Sequence, residues 1–449
     1  MAARSAIVGF VPSGVSLTAA RAGGHNRPRA GRNTPAPPGI HDVRGLVCVG
    51  CGGACNEKGS RVKIEPFALE RWMTTWETQV EYDIAESGIM PLTVDELLDF
   101  LPPTERAAAL AALLGTRLGY SEAPGSLALR SALAATYRDT GPEQILITTG
   151  AIEANFLLFN VLLEPGDHVI AVHPAYQQLY SVPRAIGCDV SLWPIHVSAT
   201  AGFRYDLDAL ERLVTPRTRL IVLNTPHNPT GAFLDAEGLR RVYALAESVG
   251  ARVLCDEAYR WLELPDGAPL PPPMRDLGAR GISVGTFSKP FGLPGLRIGW
   301  LAAPAEIVAE CWALRDYVSL SPGKLNDALA VLAFRHRERI IARTRSIVAQ
   351  NLATAGRWFA EQADLVSWNP PRAGLLALLR YRLDIPSREL ADRLAGEYSV
   401  MLAPGAAFGY EYHLRLGVGQ DPTIFAEGLA RTAACLADLR AAGVGLRAE

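Results

Sequence analysis

The middle of the chain alternates two kinds of hydrophobic pattern. Short runs of almost uninterrupted apolar residues, bounded by turn-forming residues, predict strands that are buried on both faces. Stretches between several of these runs repeat apolar residues at helical spacing. The alternation predicts an α/β protein whose large domain has a mostly parallel sheet flanked by helices. The predicted strands are residues 144–149, 168–173, 219–224, 252–255, 282–287 and 298–302, and helices are predicted at about 151–163 and 177–186.

The C-terminal third of the chain has a different pattern. Helical stretches at 326–362 and 387–398 surround a short predicted strand at 375–381, which indicates a smaller α+β domain. Because sheets of the α/β class bind ligands at the carboxyl ends of their strands, we expect the functional site there. The predicted organisation is an N-terminal arm at 62–104 that contributes to the small domain, a large domain at 105–325 and the small domain at 326–449.

Residues 1–61 differ from the rest of the chain. They hold eight basic and two acidic residues, are rich in Gly, Pro, Ala and Arg, and show neither helical nor strand periodicity. Such a composition buries too little apolar surface to offset chain entropy, so disorder is predicted. The segment has three interpretations: an organelle transit peptide, a flexible tail, or sequence translated from upstream of the true start. We favour a spurious or dispensable extension.

A chain that starts at Val62 is therefore expected to keep the activity of the full chain, because the residues before it contribute no predicted core or site. The measurement is the specific activity and the soluble yield of the two chains purified side by side. An insoluble or inactive shortened chain would show that the extension matters.

The overall composition narrows the possible functions. The net charge of −2 gives no reason to expect nucleic acid or an anionic membrane as a partner. No apolar run approaches the ~20 residues that a membrane-spanning helix needs. Seven scattered cysteines are too few for a disulfide scaffold and indicate a reducing, cytoplasmic setting. Cys48, Cys51 and Cys55 are bunched, but only His41 is near enough to add a ligand, so no metal site is predicted.

The chain has 40 arginines and only four lysines, so each lysine stands out. Lys289 follows the predicted strand 282–287 in the run Thr-Phe-Ser-Lys, and Arg297 comes eight residues later. Hydroxyl groups and a guanidinium suit a phosphate, and a neutral, desolvated lysine amine can form a Schiff base. The alternative interpretation of an isolated Ser-Lys pair is an ordinary surface loop.

Two further predicted strands end in polar residues. Asp256 follows the strand 252–255, where it is either a helix N-cap or a buried carboxylate that pairs with a cation such as a pyridinium nitrogen. Asn228 follows the strand 219–224 in the run NTPHNPTG, and its amide can donate to a phenolate oxygen or cap the local turn. His227 is expected to be a turn residue rather than a base.

Two other strand ends complete the pattern. Small residues between Thr149 and Glu153 join a strand to a helix, where backbone N–H groups and the helix dipole favour an anion. Tyr176 follows the strand 168–173 and can place an aromatic face over a flat ring or pack in the core. Each signal is ambiguous alone, but five consecutive strand–helix junctions together offer a group for each part of one ligand.

The runs NTPHNPTG, DEAY and GTFSKPFGLPGLRIGW, in this order and spacing, resemble the aminotransferase class I/II family of fold-type-I pyridoxal-phosphate enzymes. The resemblance covers roughly residues 65–439. It implies that the large domain binds pyridoxal 5'-phosphate, and that Lys289 forms a Schiff base with it and moves the proton at the substrate Cα. The resemblance assigns the other cofactor contacts to Asp256 (pyridine nitrogen), Asn228 and Tyr259 (phenolic oxygen), Tyr176 (ring face), and Ala151, Ile152, Thr286, Ser288 and Arg297 (phosphate).

The resemblance also implies the substrates, an L-amino acid that gives its amino group to a 2-oxo acid. Arg415, in the run HLRLGVG, matches the family arginine that binds the substrate α-carboxylate, for which a planar guanidinium is suited. Gly88, Gly374 and Asn228 match positions that line the substrate pocket. Tyr120 matches a tyrosine that reaches the phosphate of the neighbouring subunit, so a homodimer is implied.

Other functions remain open. The stretches 83–98 and 314–322 resemble capreomycidine-synthase-type members, which eliminate a β-hydroxyl group and cyclise a guanidino side chain. In that case Glu86 or Asp316 would meet the substrate guanidinium. An oxidase acting on arginine ranks lower. A non-catalytic, ligand-sensing regulator with this fold would carry an N-terminal DNA-binding helix-turn-helix, whereas the Gly/Pro-rich residues 1–61 show no helical period.

Overall fold

The computed structural model describes residues 64–198, 202–262 and 271–447. The extension at 1–61 and its bunched cysteines, Cys48, Cys51 and Cys55, lie outside the described residues.

The strands form one large and two smaller sheets. The bounds of the strands are β1 (Tyr82–Asp83), β2 (Ile145–Thr148), β3 (His168–His173), β4 (Asp189–Ser198), β5 (Gly202–Tyr205), β6 (Thr218–Asn224), β7 (Arg252–Asp256), β8 (Gly281–Thr286), β9 (Gly299–Ala302), β10 (Val366–Trp368), β11 (Leu376–Tyr381), β12 (Val400–Met401), β13 (Ala403–Pro404) and β14 (His413–Gly417).

The large sheet has the strand order β2-β9-β8-β7-β6-β3-β4-β5. The pairings among β8, β7, β6, β3 and β4 are parallel, whereas β9 runs antiparallel between β2 and β8, and β5 antiparallel beside β4. The predicted α/β class with a mostly parallel sheet is confirmed. Because β9 reverses direction, β2 ends at the same edge of the sheet as the central strands.

Helices cover both faces of the large sheet and pack on the smaller ones. Their bounds are α1 (Ala68–Trp76), α2 (Val94–Leu98), α3 (Pro103–Leu114), α4 (Leu127–Ala134), α5 (Gly150–Leu162), α6 (Gln178–Ile186), α7 (Leu207–Leu213), α8 (Ala236–Ser248), α9 (Ala305–Arg315), α10 (Lys324–Arg335), α11 (Arg337–Glu361), α12 (Ser387–Tyr398) and α13 (Pro422–Ala441).

Several helices begin where a side chain satisfies the free backbone N–H groups of the first turn. Asp235 accepts a hydrogen bond of 2.8 Å from the backbone nitrogen of Gly238, and Asp206 accepts one of 2.8 Å from that of Ala209. Such N-caps each contribute about 1 kcal/mol to stability. The capping residues Asp235 and Asp206 therefore determine where α8 and α7 begin.

The predicted helical stretch 326–362 is two helices. They meet at His336, whose backbone leaves the helical conformation with φ −105° and ψ 18°. Hydrophobic periodicity continues across such a break, because both helices pack on the same core, and so the pattern alone does not reveal it. The antiparallel pair β4–β5 was also not predicted.

A four-stranded sheet of order β10-β11-β14-β13 forms in the C-terminal part, where α11 and α12 pack against it, and α13 packs on the two-stranded sheet of β1 and β12. The N-terminal arm joins this part, because β1 pairs in parallel with β12. The domain limits given by the sequence stay a prediction. Among the described residues, no helix is long and apolar enough to cross a membrane.

Buried aromatic side chains pack beneath the loop that follows β8. Phe287 stacks on Phe291 with 4.8 Å between ring centroids, and Trp300 meets Phe287 edge-on at 5.7 Å. Truncation of a buried aromatic side chain to alanine costs about 3–5 kcal/mol. This packing holds the loop that carries Lys289 in one position.

Candidate active site

A cavity of about 390 Å³ lies at the carboxyl edge of the large sheet. β6, β7 and β8 end there, as do the turns after β2 and β3, so side chains far apart in sequence converge. Ten of the residues predicted to form the site line this cavity: Ala151, Ile152, Tyr176, Asn228, Asp256, Tyr259, Thr286, Ser288, Lys289 and Arg297.

Lys289 projects its amine into the cavity from the loop after β8. Its Nζ donates a hydrogen bond of 2.6 Å to Oγ of Ser87 and lies 3.4 Å from Oε1 of Glu86. Burial lowers the pKa of the amine, but the Glu86 carboxylate and Tyr259 raise it by more, so the net pKa lies above its ordinary value. The amine is thus an ammonium ion paired with the Glu86 carboxylate.

Asp256 ends β7 as a buried carboxylate, 6% exposed. Its Oδ2 accepts a hydrogen bond of 3.0 Å from Nδ2 of Asn155, and its Oδ1 accepts one of 3.0 Å from the backbone nitrogen of Ala258. Burial raises the pKa of the carboxyl group. Within the described residues no ion pair holds this carboxylate, which is thus placed to pair with a cationic ligand atom.

One corner of the cavity concentrates anion-binding groups. The N-terminus of α5 presents Ala151 and Ile152, and Thr286, Ser288 and Arg297 face the same space. Hydroxyl groups, a guanidinium and a helix N-terminus together suit a phosphate.

The backbone in this corner approaches closely because two residues are glycines. Gly150 has φ +77°, and a Cβ there would lie 2.8 Å from Nη2 of Arg297. A Cβ on Gly299 would lie 2.4 Å from the carbonyl carbon of Gly150. Larger residues at these positions would push the turn away from the Arg297 guanidinium, so the two glycines allow the close approach of these segments.

Arg415 is buried directly behind the cavity, 2% exposed. Its Nη2 donates to the carbonyl oxygen of Ala85 at 2.8 Å, and its Nη1 donates to Oδ1 of Asn228 at 3.3 Å. Nε is buried without a hydrogen-bond partner among the described residues. The guanidinium therefore has donor capacity left for a carboxylate.

The remaining predicted residues lie outside the cavity lining. Gly88 follows the lining residue Ser87, and Gly374 packs beside Tyr259, where an added Cβ would lie 3.7 Å from the tyrosine Cβ. Tyr120 is 83% exposed and does not reach the cavity of its own chain. Asp316 is exposed and is not among the lining residues, unlike Glu86.

The polar lining residues that the sequence reasoning missed include Glu70, Ser87, Asn155 and Gln178. Glu70, on α1, accepts a hydrogen bond of 2.7 Å from the hydroxyl of Tyr176, and no sequence signal connects these distant segments. Asn155 did leave a signal, because it is one of the few polar residues of the mostly apolar helix α5. His227 is the turn residue expected, with Nδ1 2.8 Å from Oγ1 of Thr230.

A lysine, a buried carboxylate and a cluster of anion-binding groups at this edge of the sheet are typical of pyridoxal-phosphate-dependent enzymes of the aminotransferase fold. The family model for aminotransferase class I and II matches residues 87–424, and the chain belongs to this family. Its cofactor is accordingly pyridoxal phosphate, and the predicted family, cofactor and enzyme class are confirmed.

The chain is similar to enzymes of two reaction types. It is 35% identical to capreomycidine synthase of Streptomyces vinaceus over 369 residues, 81% of this chain and 91% of that protein. A PLP-dependent aminotransferase from Streptococcus suis 89-1591 superimposes with a TM-score of 0.79 at 35% identity, covering 84% of this chain and 98% of the other. The PLP-dependent cyclase OrfR gives a TM-score of 0.76 at 33% identity with the same coverage.

Proposed function

We propose that the chain is a cytoplasmic aminotransferase that takes the amino group from an L-amino acid with a cationic side chain and gives it to a 2-oxo acid. The observation that supports the choice of substrate is the presence of two carboxylates, Glu70 and Glu86, in the lining of the cavity that holds Lys289. Membership of the family supports the type of reaction, and the two carboxylates support a positive charge on the side chain of the substrate.

The residues present fit pyridoxal phosphate. The corner at Gly150 and Arg297 would hold the phosphate, and Asp256 would pair with the pyridine nitrogen. Asn228, whose Oδ1 accepts from Arg415, has its amide nitrogen left to donate to the phenolic oxygen, together with the Tyr259 hydroxyl. Tyr176 would lie against the ring. When bound, the cofactor supplies an electron sink for the electrons released at the substrate Cα.

Lys289 is the residue that we assign to proton transfer. Its amine has to be neutral to act as a base, whereas the neighbouring Glu86 carboxylate raises its pKa. With the cofactor held by Lys289, the amine would no longer be paired with Glu86. The neutral Lys289 amine would take the proton from the substrate Cα and deliver it to the cofactor carbon, as transamination requires.

Arg415 would orient the substrate by its α-carboxylate. A guanidinium fixed by Ala85 and Asn228 offers its remaining donors in a rigid plane, and a bidentate pair with a carboxylate sets both distance and angle. Because Arg415 also contacts Asn228, the substrate carboxylate and the cofactor ring would be held in a fixed orientation relative to each other.

Glu86 and Glu70 would receive the cationic end of the substrate. The Lys289 ammonium holds the pKa of Glu86 below its usual range, so Glu86 is ionised. With Lys289 holding the cofactor, the Glu86 carboxylate would lack its cation and would be available to a cationic side chain of the substrate. Glu70 is held in place by the hydroxyl of Tyr176.

A second candidate function is elimination of a β-hydroxyl group followed by cyclisation of a guanidino side chain. The same two carboxylates would hold that guanidinium, and the similarity to capreomycidine synthase and to the cyclase OrfR favours this alternative. The two reactions share every step up to proton removal at Cα, so the cavity residues named above serve both.

The active unit that we propose is a homodimer. Tyr120, assigned by the resemblance to the phosphate of the neighbouring subunit, is exposed in its own chain, as are Leu118 and Tyr317, at 81% and 90%. Exposed apolar side chains of this size mark an interaction surface. A second copy would cover them and complete the phosphate site.

A substrate panel tests the proposed function. Arginine, its neutral analogue citrulline, lysine and 3-hydroxyarginine are incubated with the enzyme, with and without a 2-oxo acid. Dependence of arginine consumption on the 2-oxo acid supports transamination, whereas water loss or ring closure from 3-hydroxyarginine without an acceptor supports cyclisation. Equal turnover of arginine and citrulline would contradict a cation-binding cavity.

Glu70→Gln and Glu86→Gln are each expected to lower kcat/KM for arginine by about 10–100-fold, since a hydrogen bond to a charged group contributes about 1.5–3 kcal/mol. The value for citrulline should change little. The matched control is Glu77→Gln, an exposed glutamate just after α1 that does not line the cavity, for which the arginine-to-citrulline ratio should stay at the wild-type value.

A further inference from the structure

A buried arginine lies next to the turn that we assign to the cofactor phosphate. Arg315, the last residue of α9, is fully buried, and its Nε lies 3.8 Å from Oε2 of Glu153 in α5. Glu153 is also buried, and the same Oε2 accepts a hydrogen bond of 2.5 Å from the backbone nitrogen of Thr149. The guanidinium thus holds the carboxylate that fixes the turn between β2 and α5.

The same guanidinium holds two surface loops, residues 115–126 and 316–323. Its Nη1 donates to the carbonyl oxygen of Ala123 in the first loop, and its Nε donates to Oγ of Ser319 in the second at 3.1 Å. The loops also contact each other, because Oγ of Ser121 donates to the carbonyl oxygen of Pro322 at 2.5 Å. Arg315 therefore joins the phosphate turn to both loops.

These two loops carry exposed apolar side chains. Leu118 and Tyr120 lie in the first loop, and Tyr317, Val318 and Leu320 lie in the second, each between 44% and 90% exposed. This is the surface that we assign to the second copy of the chain. The side chains that would contact the partner and the turn that would contact the phosphate are thus linked by one residue.

A stability role alone does not explain a charge at this position. Burial lowers the pKa of Arg315, although Glu153 raises it, and Nη2 is buried without a hydrogen-bond partner among the described residues. Buried ion pairs often contribute no more stability than well-packed apolar side chains of similar volume. The guanidinium adds a fixed arrangement of three segments, through hydrogen bonds to the loops at Ala123 and Ser319 and an ion pair with Glu153.

We propose that Arg315 is a positioning residue that couples the assembly of two copies of this chain to the binding of the cofactor phosphate. The inference rests on the proposed function, which places the phosphate at the N-terminus of α5 and the second copy on the two loops. A second copy restrains the loops, the loops restrain Arg315, and Arg315 restrains Glu153 and the turn. Dimerisation then increases the affinity for the cofactor phosphate. Because such linkage is reciprocal, binding of the phosphate increases the affinity of the two copies for each other by the same factor.

The test is a thermodynamic cycle. The dissociation constant of the dimer is measured by fluorescence-detected sedimentation for the cofactor-free protein and for protein saturated with pyridoxal phosphate. Wild type is expected to dimerise at least about 10-fold more tightly with the cofactor, within the usual range of coupling between sites. Pyridoxal, which lacks the phosphate, should produce a much smaller change.

In Arg315→Met the tightening factor is expected to fall at least about threefold, because the link between the loops and the turn is lost, and the direct contact of the second copy's Tyr120 with the phosphate accounts for what remains. Glu153→Gln keeps an acceptor for the Thr149 nitrogen but loses the charge, and should also lower the factor. The matched control is Asn351→Ala, which removes two hydrogen bonds to backbone carbonyl groups of Val418 and Gln420 and should destabilise the fold without changing the factor.

Suppose that the Arg315→Met protein dimerises, binds the cofactor and still shows the wild-type tightening factor. That result would overturn this inference but not the proposed function, and Arg315 would then have only a structural role. A wild-type dimer whose dissociation constant does not respond to pyridoxal phosphate would overturn it as well. A wild-type protein that stays monomeric would contradict both the proposed function and this inference.

Discussion

Replacement of Lys289 by alanine is expected to lower turnover by at least about 10⁴-fold, the upper range for loss of a general acid–base group, because no other lysine of the described residues lines the cavity. Among the described residues the other lysine is Lys324, at the start of α10, and it does not line the cavity. The measurement is kcat with saturating amino acid and 2-oxo acid.

The matched control for this substitution is Lys324→Ala, which removes an exposed amine from the protein and should leave kcat within about twofold of wild type, as surface substitutions have small effects. Normal turnover by Lys289→Ala would remove Lys289 from the mechanism. A large loss in Lys324→Ala would point to the wrong lysine.

Asp256→Asn is expected to lower kcat by about 10²–10³-fold, as for the loss of one preorganised electrostatic contact. The substitution conserves shape but removes the negative charge that would keep the pyridine nitrogen protonated, and the electron sink is weaker without that proton. The protein should still bind the cofactor through the phosphate corner. The measurements are kcat and the cofactor content of the purified protein.

Glu257→Gln is the control for Asp256→Asn. Glu257 is the next residue and is equally buried, but its Oε1 accepts hydrogen bonds from the backbone nitrogen of Met274 and the hydroxyl of Ser283, both at 2.8 Å, and it does not line the cavity. Its substitution should affect stability more than rate. Near-normal turnover by Asp256→Asn would contradict the assigned role of the charge.

The parts of the site that could be predicted from the sequence lie at strand ends. Lys289, Asp256 and Asn228 each follow a short apolar run, and the carboxyl ends of parallel strands meet at one edge of a sheet. A short apolar run followed by a polar residue thus predicts both the strand and the edge of the sheet at which the polar side chain lies. The structure places all three in the lining of one cavity.

The parts that could not be predicted depend on contacts between distant segments. Glu70 meets Tyr176 across 106 positions of the chain, and Ser87 meets Lys289 across 202. Hydrophobic periodicity describes which face of a helix is buried but not which segment covers it. The insertion of β9 between β2 and β8 is a property of the same kind, since it depends on which strands pair rather than on their composition.

The contacts of Arg315 could not be predicted from the sequence either. In the sequence it is one of 40 arginines, at the end of a helix where a surface ion pair would be the ordinary interpretation. Only the fold buries it against Glu153 and the loop at Ala123. Its place between the phosphate turn and the exposed apolar loops is therefore a finding of the structure.

The central claim is that Lys289 carries the cofactor, and the most direct measurement is borohydride reduction of the wild-type enzyme followed by peptide mass mapping. Reduction makes the bond between the amine and the cofactor permanent. We expect the added mass on the peptide that contains Lys289 and on no other. The added mass on the peptide that contains Lys324, or an enzyme that is active but yields no labelled peptide, would contradict the claim.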